Sequence, residues 1–409
     1  MSRAIQLPPA PVALLGGLAG AFANLRVYNA LPTEQKWPVN ILLGLYLILF
    51  AWAAASIYQT KFLQKPTKWF NRIAEKTGQR PVQLLYLLLA VLAALTACLA
   101  SGTNNFVAAD FWVMLLSWLA GIFLAMLGAW KPGEHPPKAS RRTWLICAGL
   151  FAVSLAIRAV AAGSIPPLLN GDEASAGLSA LRFIQDDINN IFGVGWFSFP
   201  AMYYAIQSVF IRLFGQTTFA LRFSSALIGS LTVPAVYLIG KRIYSHRAGL
   251  LAALFLAGSH FHQHFSRIGL NNVWDAFWYV LVLGLLVDAW RNRRRQSYIF
   301  AGLAFGLAQY FYVSSRFLLI IIPIWLLAVS ISSRRRWKDN RSHLLYFLLV
   351  FLVVAAPSIW FFAHDPGLTN YMAPFNRVDV VGDWLSRESE ILEKPGWQIL
   401  ASHLYDSAR

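Results

Sequence analysis

Charged side chains are scarce in this sequence of 409 residues, because Asp, Glu, Lys and Arg together make up only 13% of it. A soluble globular domain carries about a quarter charged residues. Hydrophobic residues make up 57% of the chain, and they fall in runs long enough to cross the ~30 Å hydrocarbon core of a bilayer. The shortage of charge argues against an ordinary soluble enzyme and predicts an all-α polytopic membrane protein.

Acidic residues are scarcer than basic ones, with 18 Asp and Glu against 35 Lys and Arg, which gives a net charge of +17. A strong basic excess is one sign of nucleic-acid binding. Here the basic residues form short clusters between apolar runs, which is how orientation is encoded in a membrane protein. We therefore expect membrane lipids, and no nucleic acid, among the partners of this chain.

Cysteine is almost absent from the sequence. Its two cysteines, Cys98 and Cys147, both fall within apolar runs. A structural disulfide is not expected in such runs, whereas a buried thiol is the ordinary case. We predict that both side chains are buried and unpaired.

Eleven apolar segments predict about eleven transmembrane helices. The first contains Arg26 and lacks a small-residue cleavage site, so we expect an uncleaved span rather than a signal peptide. The segments are 11–30, 39–58, 82–100, 109–130, 143–163, 217–240, 247–265, 271–290, 297–313, 317–333 and 344–363.

The Lys and Arg content of the loops alternates along the chain, and loops rich in these residues face the cytoplasm in membrane proteins. This alternation places the polar interval 164–200 and the tail 364–409 on the extracytoplasmic side of a plasma or inner membrane. The rich loops and clusters are 59–80, 131–142, 241–247, 291–295 and 334–341, and the poor loops are 101–108, 164–200, 266–271 and 314–316.

The apolar segment 199–215 is long enough for one helix, yet it does not fit this alternation as a span. If it crossed the membrane, the basic cluster at 241–247 would lie outside and every later loop would be inverted. We therefore predict a helix that lies along the outer membrane surface.

We divide the chain into three parts. Residues 1–142, with about four spans and almost no polar residues near the outer face, are predicted to form an accessory bundle. Residues 143–363 are predicted to form the catalytic membrane core, whose outer loop covers 164–216. The tail 364–409 is too short for a hydrophobic core of its own, and we expect it to be the start of a longer extracytoplasmic region.

The outer loop contains the adjacent carboxylates Asp172 and Glu173 directly after the turn signal Asn170-Gly171. Asp172 is suited to cap a following helix, and Glu173 is suited to its first turn. The functional alternative is a general base at the outer surface, where an apolar wall raises the proton affinity of a carboxylate. Capping and proton transfer are compatible roles, so the local pattern leaves both open.

Two further polar groups lie at predicted outer helix ends. His260 and His264 share a helix face and are suited to bind a metal as a pair or to contact substrate, although no third metal ligand is evident. Asn272 and Asp275 start the next span, where a carboxylate needs a cavity or a partner. Arg267 is the candidate partner of Asp275, and ion pairing and active-site function both fit.

Four arginines lie near the predicted outer face, where basic residues are disfavoured. Their presence there suggests a function. Neutralising a lipid phosphate is one possibility, and extending to the lipid headgroups is the other. The four are Arg212, Arg222, Arg267 and Arg316.

Several short motifs follow one another in a distinctive order. They are Gly171-Asp172-Glu173-Ala174, Tyr203-Tyr204, Leu213-Phe214-Gly215, Ala220-Leu221-Arg222-Phe223-Ser224-Ser225-Ala226, Tyr237-Leu238-Ile239 and Ser266-Arg267. This order resembles the GT-C superfamily of integral membrane glycosyltransferases, in the family 39-like group of protein mannosyltransferases and aminoarabinose transferases. The similarity extends over about 143–365.

The resemblance implies an inverting transfer from a polyprenyl-phosphate-linked sugar on the extracytoplasmic side, with Asp172 as the base and Glu173 beside it. It leaves open whether the acceptor is a protein, a lipid or a glycan. Cations are expected at the departing phosphate. Its candidate ligands are Arg222, Arg316 and Arg267, and the candidate substrate or metal contacts are His260, His264, Asn272, Asp275, Tyr203 and Tyr204.

The sequence departs from the family at two points. Relatives commonly have an acidic residue where Asn272 stands, and Asp275 is the nearest carboxylate. Relatives also often have a charged residue or His before the proline of the surface helix, whereas this chain has Ser198-Phe199-Pro200. A divalent metal therefore stays an open question, and a transporter or lipid flippase of the cell envelope, or a non-catalytic scaffold, are the competing functions.

Overall fold

A computed structural model describes residues 10–57, 64–131, 134, 139–364 and 373–407. Within these residues the chain forms seventeen α-helices, which confirms the predicted all-α architecture. In chain order they are α1 Ala10–Ala30, α2 Lys36–Ile57, α3 Gln64–Thr77, α4 Pro81–Ser101, α5 Phe111–Ala129, α6 Arg141–Ala159, α7 Gly171–Ile184, α8 Met202–Phe214, α9 Thr218–Ile243, α10 His246–Gly258, α11 His260–Ser266, α12 Asn272–Asn292, α13 Arg295–Ala308, α14 Leu318–Ser332, α15 Arg334–His364, α16 Ala373–Leu392 and α17 Gly396–Ser407.

Eight helices of the described residues are long and apolar enough to cross a membrane, so the chain is polytopic, as predicted. Each of the eleven predicted spans contains a helix, but α1, α10 and α13 are not among the eight. Helices α10 and α13 have 13 and 14 residues. At 1.5 Å per residue they are ~20 Å long, which is less than the ~30 Å of a hydrocarbon core. Within the described residues, eight of the eleven predicted spans therefore meet this criterion of length and composition.

The predicted span 247–265 is interrupted at Ser259. The backbone of Ser259 is extended, with φ −63° and ψ 115°, and this ends α10. Its hydroxyl then caps α11 by accepting a hydrogen bond from the backbone N–H of His262 at 3.5 Å, a role that serine commonly takes. The segment with His260 and His264 is therefore a separate short helix rather than the end of a span.

The loops poor in basic residues meet at one end of the helix bundle, and the basic loops meet at the other. At the first end, which we call the acidic-loop end, Asn105 accepts from the backbone of Val194, and Gly269 donates to Glu173. At the basic end the contacts are Lys241 with Thr143, Arg291 with the Ile243 carbonyl, and Arg293 with Asp339. The grouping is the one that the charge alternation predicts.

Helix α8 does not carry the chain from one end of the bundle to the other. Arg222, at the start of α9, bonds to Ala162 just after α6, whereas Lys241, near the end of α9, bonds to Thr143 near the start of α6. Helices α6 and α9 are therefore antiparallel neighbours, and the segment between them starts and ends at the acidic-loop end. This agrees with the prediction that 199–215 is not a span; its position on a membrane surface stays a prediction.

Glycines bring several helices into close contact. An added Cβ at Gly302 of α13 would come within 2.4 Å of the Phe347 carbonyl oxygen in α15, and one at Gly306 would come within 2.5 Å of Val354. Small residues at such positions allow two helix backbones to approach closely. Cys98 and Cys147 are buried and free, as predicted.

The chain divides into two compact units, Met1–Phe361 and Phe362–Arg409. The predicted parts 1–142 and 143–363 thus fall mainly within one unit. In the second unit, α16 and α17 are joined by contacts that include the rings of Trp384 and His403, whose centroids are 5.3 Å apart. Residues 365–372, part of the predicted tail, lie outside the described residues, as does Lys61 of the predicted basic loop 59–80.

Candidate active site

Helix α7 begins directly after the turn signal in the outer loop. Asn170 is its N-cap, because the Asn170 side chain accepts a hydrogen bond from the backbone N–H of Glu173 at 2.8 Å. Asp172 and Glu173 both lie in the first turn, where the helix dipole favours negative charge. The capping role that the sequence left open for Asp172 therefore belongs to Asn170.

The two neighbouring carboxylates have opposite environments. Glu173 is fully buried, whereas Asp172 is exposed. Arg222 donates to Glu173 from Nε to Oε1 at 2.8 Å and from Nη2 to Oε2 at 2.9 Å, and the backbone N–H of Gly269 donates to Oε1 at 2.6 Å. A bidentate arginine pair compensates the charge of a buried carboxylate and fixes its orientation. Among the described residues, no arginine forms such a pair with the Asp172 carboxylate.

Arg222 is fully buried and uses its whole set of N–H donors. Besides Glu173, Nη1 donates to the carbonyls of Ala162 at 2.9 Å and Pro166 at 2.8 Å, and Nη2 donates to Leu168 at 3.1 Å. These carbonyls belong to the loop that leads into α7. The pair thus attaches this loop to the start of α9. In this geometry Arg222 has no donor left for the lipid phosphate that the sequence assigned to it.

Arg267 holds the end of α6 and the beginning of the same loop. Its two terminal nitrogens donate to the carbonyls of Ile157, Arg158, Val160 and Ile165. Two of these carbonyls lie in the last turn of α6, where helical carbonyls lack partners within the helix. Arg267 therefore caps α6, and Asp275, its predicted partner, is bound elsewhere.

Arg158 is a further buried arginine at this end, and it has neutral partners. It donates from Nε to the Ser266 hydroxyl at 3.3 Å and from Nη1 to the Ser154 carbonyl at 3.2 Å, and its Nη2 lies 3.0 Å from Nδ1 of His262. A guanidinium only donates, so His262 accepts at Nδ1 and carries its proton on Nε2. Through Arg158 and Arg267, the motif Ser266-Arg267 attaches α11 to α6.

Asp275 is bound by two serines of the turn before α14. Its carboxylate accepts from the hydroxyls of Ser314 and Ser315. Arg316, the next residue, is half-buried in the turn Val313–Phe317 and lies close enough to attract the Asp275 charge. The structure therefore brings Asp275 together with Arg316 rather than with Arg267.

Exposed apolar side chains lie directly ahead of Asp172. Leu168 is 80% exposed and Leu169 is 47% exposed, although the carbonyl of Leu168 is held by Arg222. The loop backbone is thus fixed while its apolar side chains point outward. Such a surface beside an exposed carboxylate suits contact with a lipid.

The first part of the chain is attached to this loop system by an asparagine. Asn190 is fully buried, and its Nδ2 donates to the carbonyls of Ser101 at 3.3 Å and Asn104 at 2.8 Å. Its Oδ1 accepts from the backbone N–H of Phe192 at 3.1 Å. The loop after α4 and the loop after α7 are therefore one hydrogen-bonded assembly.

Tyr203 and Tyr204 are buried in α8 rather than placed on a substrate-facing surface. Gln207 donates from Nε2 to the Tyr203 hydroxyl at 3.0 Å, and the Tyr204 hydroxyl donates to the Trp196 carbonyl at 3.1 Å. Burial raises the pKa of both phenols, so both hydroxyls are neutral at physiological pH. In this structure both side chains make contacts within the protein interior.

The other predicted contacts do not converge on a metal site. His260 and His264 are exposed on α11, with ring centroids 6.4 Å apart, and Asn272 is half-buried at the start of α12. Within the part of the chain that the structure describes, no three His, Cys, Asp or Glu side chains are placed to hold a metal ion. The divalent metal that the sequence left open stays a prediction.

The part of this site that follows α7 in the chain is similar to a known protein family. Residues 198–361 match the family model of dolichyl-phosphate-mannose-protein mannosyltransferases. The matched family is one of the GT-C superfamily of glycosyltransferases, which the sequence motifs also resemble. The matched segment includes Arg222, Gly269, Asp275 and Arg316, and it begins after α7. The assignment of the acidic pair to the same site therefore rests on the contacts of Glu173 with Arg222 and Gly269, and on the position of Asp172 directly before Glu173.

Two curated relatives extend the similarity. The chain is 26% identical over 157 residues to undecaprenyl phosphate-alpha-4-amino-4-deoxy-L-arabinose arabinosyl transferase 2 of Sodalis glossinidius. This alignment covers 37% of the chain and 28% of the relative. The chain is 25% identical over 236 residues to dolichyl-phosphooligosaccharide-protein glycotransferase 3 of Archaeoglobus fulgidus, an alignment that covers 49% of this chain and 27% of the relative. The matches thus span less than a third of either relative. No solved structure matches the chain significantly.

Sequence reasoning did not identify three residues that shape the site. Gly269 donates its backbone N–H to Glu173, and a Cβ there would lie 2.8 Å from Leu221. Asn190 and Gln207 are fully buried polar side chains. A polar side chain within an apolar stretch was the available signal for Gln207, whereas nothing local distinguishes Gly269 from other loop glycines.

Proposed function

We propose that this protein transfers a sugar from a polyprenyl-phosphate-linked donor to an acceptor on the extracytoplasmic face of a plasma or inner membrane, with Asp172 as the general base. The observation that carries the proposal is the contrast within the acidic pair. Glu173 is buried and engaged by Arg222 and Gly269, whereas Asp172 is exposed in the same helical turn. Of the two, only Asp172 is free to reach a substrate.

The chemistry requires few groups. The bond between the sugar's anomeric carbon and the donor phosphate breaks, and the electron pair leaves with the polyprenyl phosphate. A bond forms between that carbon and an acceptor hydroxyl oxygen, whose proton passes to the Asp172 carboxylate. Phosphate leaves readily without protonation, and an oxocarbenium-like centre forms between base and phosphate. The direct displacement inverts the anomeric configuration.

The departing phosphate needs a nearby cation. Arg222 and Arg267 hold the loop ahead of α7 through bonds to its carbonyls. Arg316 is our principal candidate for the phosphate because of where it lies. Its place in an outer turn at the end of the bundle that also carries Asp172 supports this assignment.

The polyprenyl chain needs an apolar surface that begins beside the sugar. Leu168 and Leu169, exposed directly ahead of α7, offer such a surface. The names of both curated relatives contain a polyprenyl phosphate carrier, undecaprenyl in one and dolichyl in the other. One name specifies a protein acceptor and the other specifies none, so we leave the acceptor as a protein, lipid or glycan.

A transporter or lipid flippase fits the structure less well. Alternating access uses ionisable side chains near the middle of the membrane. The buried Asp, Glu, Lys and Arg side chains of the described spans lie near helix ends. They are Arg158 at the end of α6, Arg222 near the start of α9, Asp275 in the first turn of α12 and Asp288 in its last turns. We therefore favour the transferase.

The proposed function is tested by lipid mass spectrometry on membranes from cells with and without the protein. The proposal predicts that one polyprenyl-phosphate sugar accumulates when the protein is absent and returns to its normal level when the gene is restored. An unchanged set of lipid-linked sugars, together with substrate flux across liposomes that contain the purified protein, would favour the transporter.

A further inference from the structure

Three polar side chains at the start of α12 lie four residues apart, and this spacing places them on one face of the helix. They are Asn271 at the N-cap, Asp275 in the first turn and Tyr279 one turn later. All three bind the same five-residue segment, 311–315. Asn271 donates to the Phe311 carbonyl at 2.7 Å, Asp275 accepts from the hydroxyls of Ser314 and Ser315, and Tyr279 donates to the Ser314 carbonyl at 2.7 Å.

Ring contacts hold the same segment from two other directions. Phe311 stacks on Trp274 of α12 with centroids 4.2 Å apart and planes 9° apart. The ring of Tyr312 lies 5.1 Å from that of Phe199, in the segment ahead of α8. The segment therefore has little freedom, and the residue that immediately follows it is Arg316.

The position of Asp275 argues against a direct part in the chemistry. Asp275 is 6% exposed, and each of its carboxylate oxygens already accepts a hydrogen bond from a serine hydroxyl. A base or a metal ligand needs a lone pair directed at its substrate or metal. A buried carboxylate bound on both oxygens fixes the groups that bind it instead.

We propose that Asp275 is a positioning residue that, with Asn271 and Tyr279, holds Arg316 at the phosphate of the polyprenyl donor. This inference rests on the proposed function. Arg316 carries a long flexible side chain, and ordering such a side chain on binding costs conformational entropy. We call the contacts of Asn271, Asp275 and Tyr279 with residues 311–315 the clamp. The clamp fixes the backbone from which Arg316 extends, so less conformational freedom is lost when phosphate binds.

The test uses undecaprenyl phosphate as the probe, because a sugar donor linked to undecaprenyl through a single phosphate has this lipid as its product. Its dissociation constant is measured on the purified full chain by native mass spectrometry, with undecaprenol as the control that lacks phosphate. The variants are Asp275→Ala, the double variant Ser314→Ala/Ser315→Ala, Arg316→Gln and their combinations. Asp288→Ala is the matched control, since Asp288 is also a buried carboxylate of α12 that accepts from a serine, Ser297 at 2.6 Å.

The clamp predicts that Asp275→Ala and Ser314→Ala/Ser315→Ala each weaken undecaprenyl phosphate binding by about tenfold, which is the effect of ~1.4 kcal/mol. It also predicts that neither change weakens binding further once Arg316 is Gln. The control Asp288→Ala should bind the probe like the unmodified protein, even if its melting temperature falls as much as that of Asp275→Ala.

Two results separate this inference from the proposed function. If the unmodified chain binds undecaprenyl phosphate but not undecaprenol, and the serine double variant binds it equally well, the clamp is wrong while the donor class stands. A further loss from Asp275→Ala in the Arg316→Gln background also overturns the clamp, because it indicates direct contact between Asp275 and the lipid. If the unmodified chain does not prefer the phosphate-bearing lipid, both proposals fail.

Discussion

Glu173 and Arg222 form a bidentate ion pair, at 2.8 and 2.9 Å, in which both side chains are fully buried. The pair joins the first turn of α7 to the start of α9, and through Arg222 it also holds three carbonyls of the loop between α6 and α7. The residue next to Glu173 is the exposed Asp172. One acid of the motif therefore fixes the position of the other.

Removal of Glu173 is expected to destabilise the protein. Glu173→Ala leaves the charge of Arg222 buried without its carboxylate, and breaking a buried pair from one side costs about 3–5 kcal/mol. The measurement is the unfolding temperature in detergent, with the exposed Asp187→Asn of the same loop as the control. If Glu173→Ala unfolds like the control but loses sugar transfer, Glu173 acts in the chemistry and our assignment is wrong.

Lysine is not expected to replace Arg222. An ammonium has three donors and no planar fork, so it cannot bind both oxygens of Glu173 and three carbonyls together. Arg222→Lys should therefore lower stability by about 2–4 kcal/mol, since each buried group left unbound costs ~1–3 kcal/mol. Arg212→Lys is the control, because Arg212 is exposed and donates to the Phe183 carbonyl rather than to a carboxylate. Equal unfolding temperatures for the two variants would contradict the prediction.

Asn190 is expected to matter more than its place in a loop suggests. Asn190→Ala leaves the carbonyls of Ser101 and Asn104 and the N–H of Phe192 without this partner, at a cost of about 1–3 kcal/mol for each group that stays buried and unbound. Limited proteolysis should then cut the loop after α4 faster than in the control Gln185→Ala, whose side chain is exposed. Identical cleavage rates would show that the two loops are held together by other contacts.

Glycine substitutions test the packing of α13 on α15. Gly302→Ala places a Cβ within 2.4 Å of the Phe347 carbonyl oxygen, so the helices must separate, at a cost of about 1–3 kcal/mol. Gly149→Ala in α6 meets nothing within 4 Å and should be neutral or stabilising by up to ~1 kcal/mol, because alanine is the better helix former. Gly302→Ala should therefore lower the unfolding temperature, whereas Gly149→Ala should leave it unchanged or raise it.

Sequence alone predicted the features that depend on local pattern. Apolar runs predicted the positions of the helices. The alternation of loops rich and poor in Lys and Arg predicted which loops lie at the same end of the bundle, and that α8 is not a span. The break at Ser259 was missed because hydropathy averages over a window, whereas one capping serine is enough to end a helix.

The pairing within the site was less predictable from sequence. Arg222 and Glu173 are 49 positions apart, and nothing local indicates that they meet or that Arg222 is saturated by loop carbonyls. Asp275 was expected beside Arg267, yet it binds serines about forty positions later. Which of several polar groups become partners is decided by how the helices pack, and that information is not local.

The central claim is that Asp172 performs the chemistry while its neighbour Glu173 maintains the structure. The most direct test is the polyprenyl-phosphate sugar level in cells that carry only Asp172→Asn, with Asp187→Asn as the matched control. Our account predicts that Asp172→Asn unfolds at the temperature of the unmodified protein, yet leaves the lipid-linked sugar accumulated as in cells without the protein, whereas Asp187→Asn restores its normal level. Restoration of the normal level by Asp172→Asn would contradict the claim.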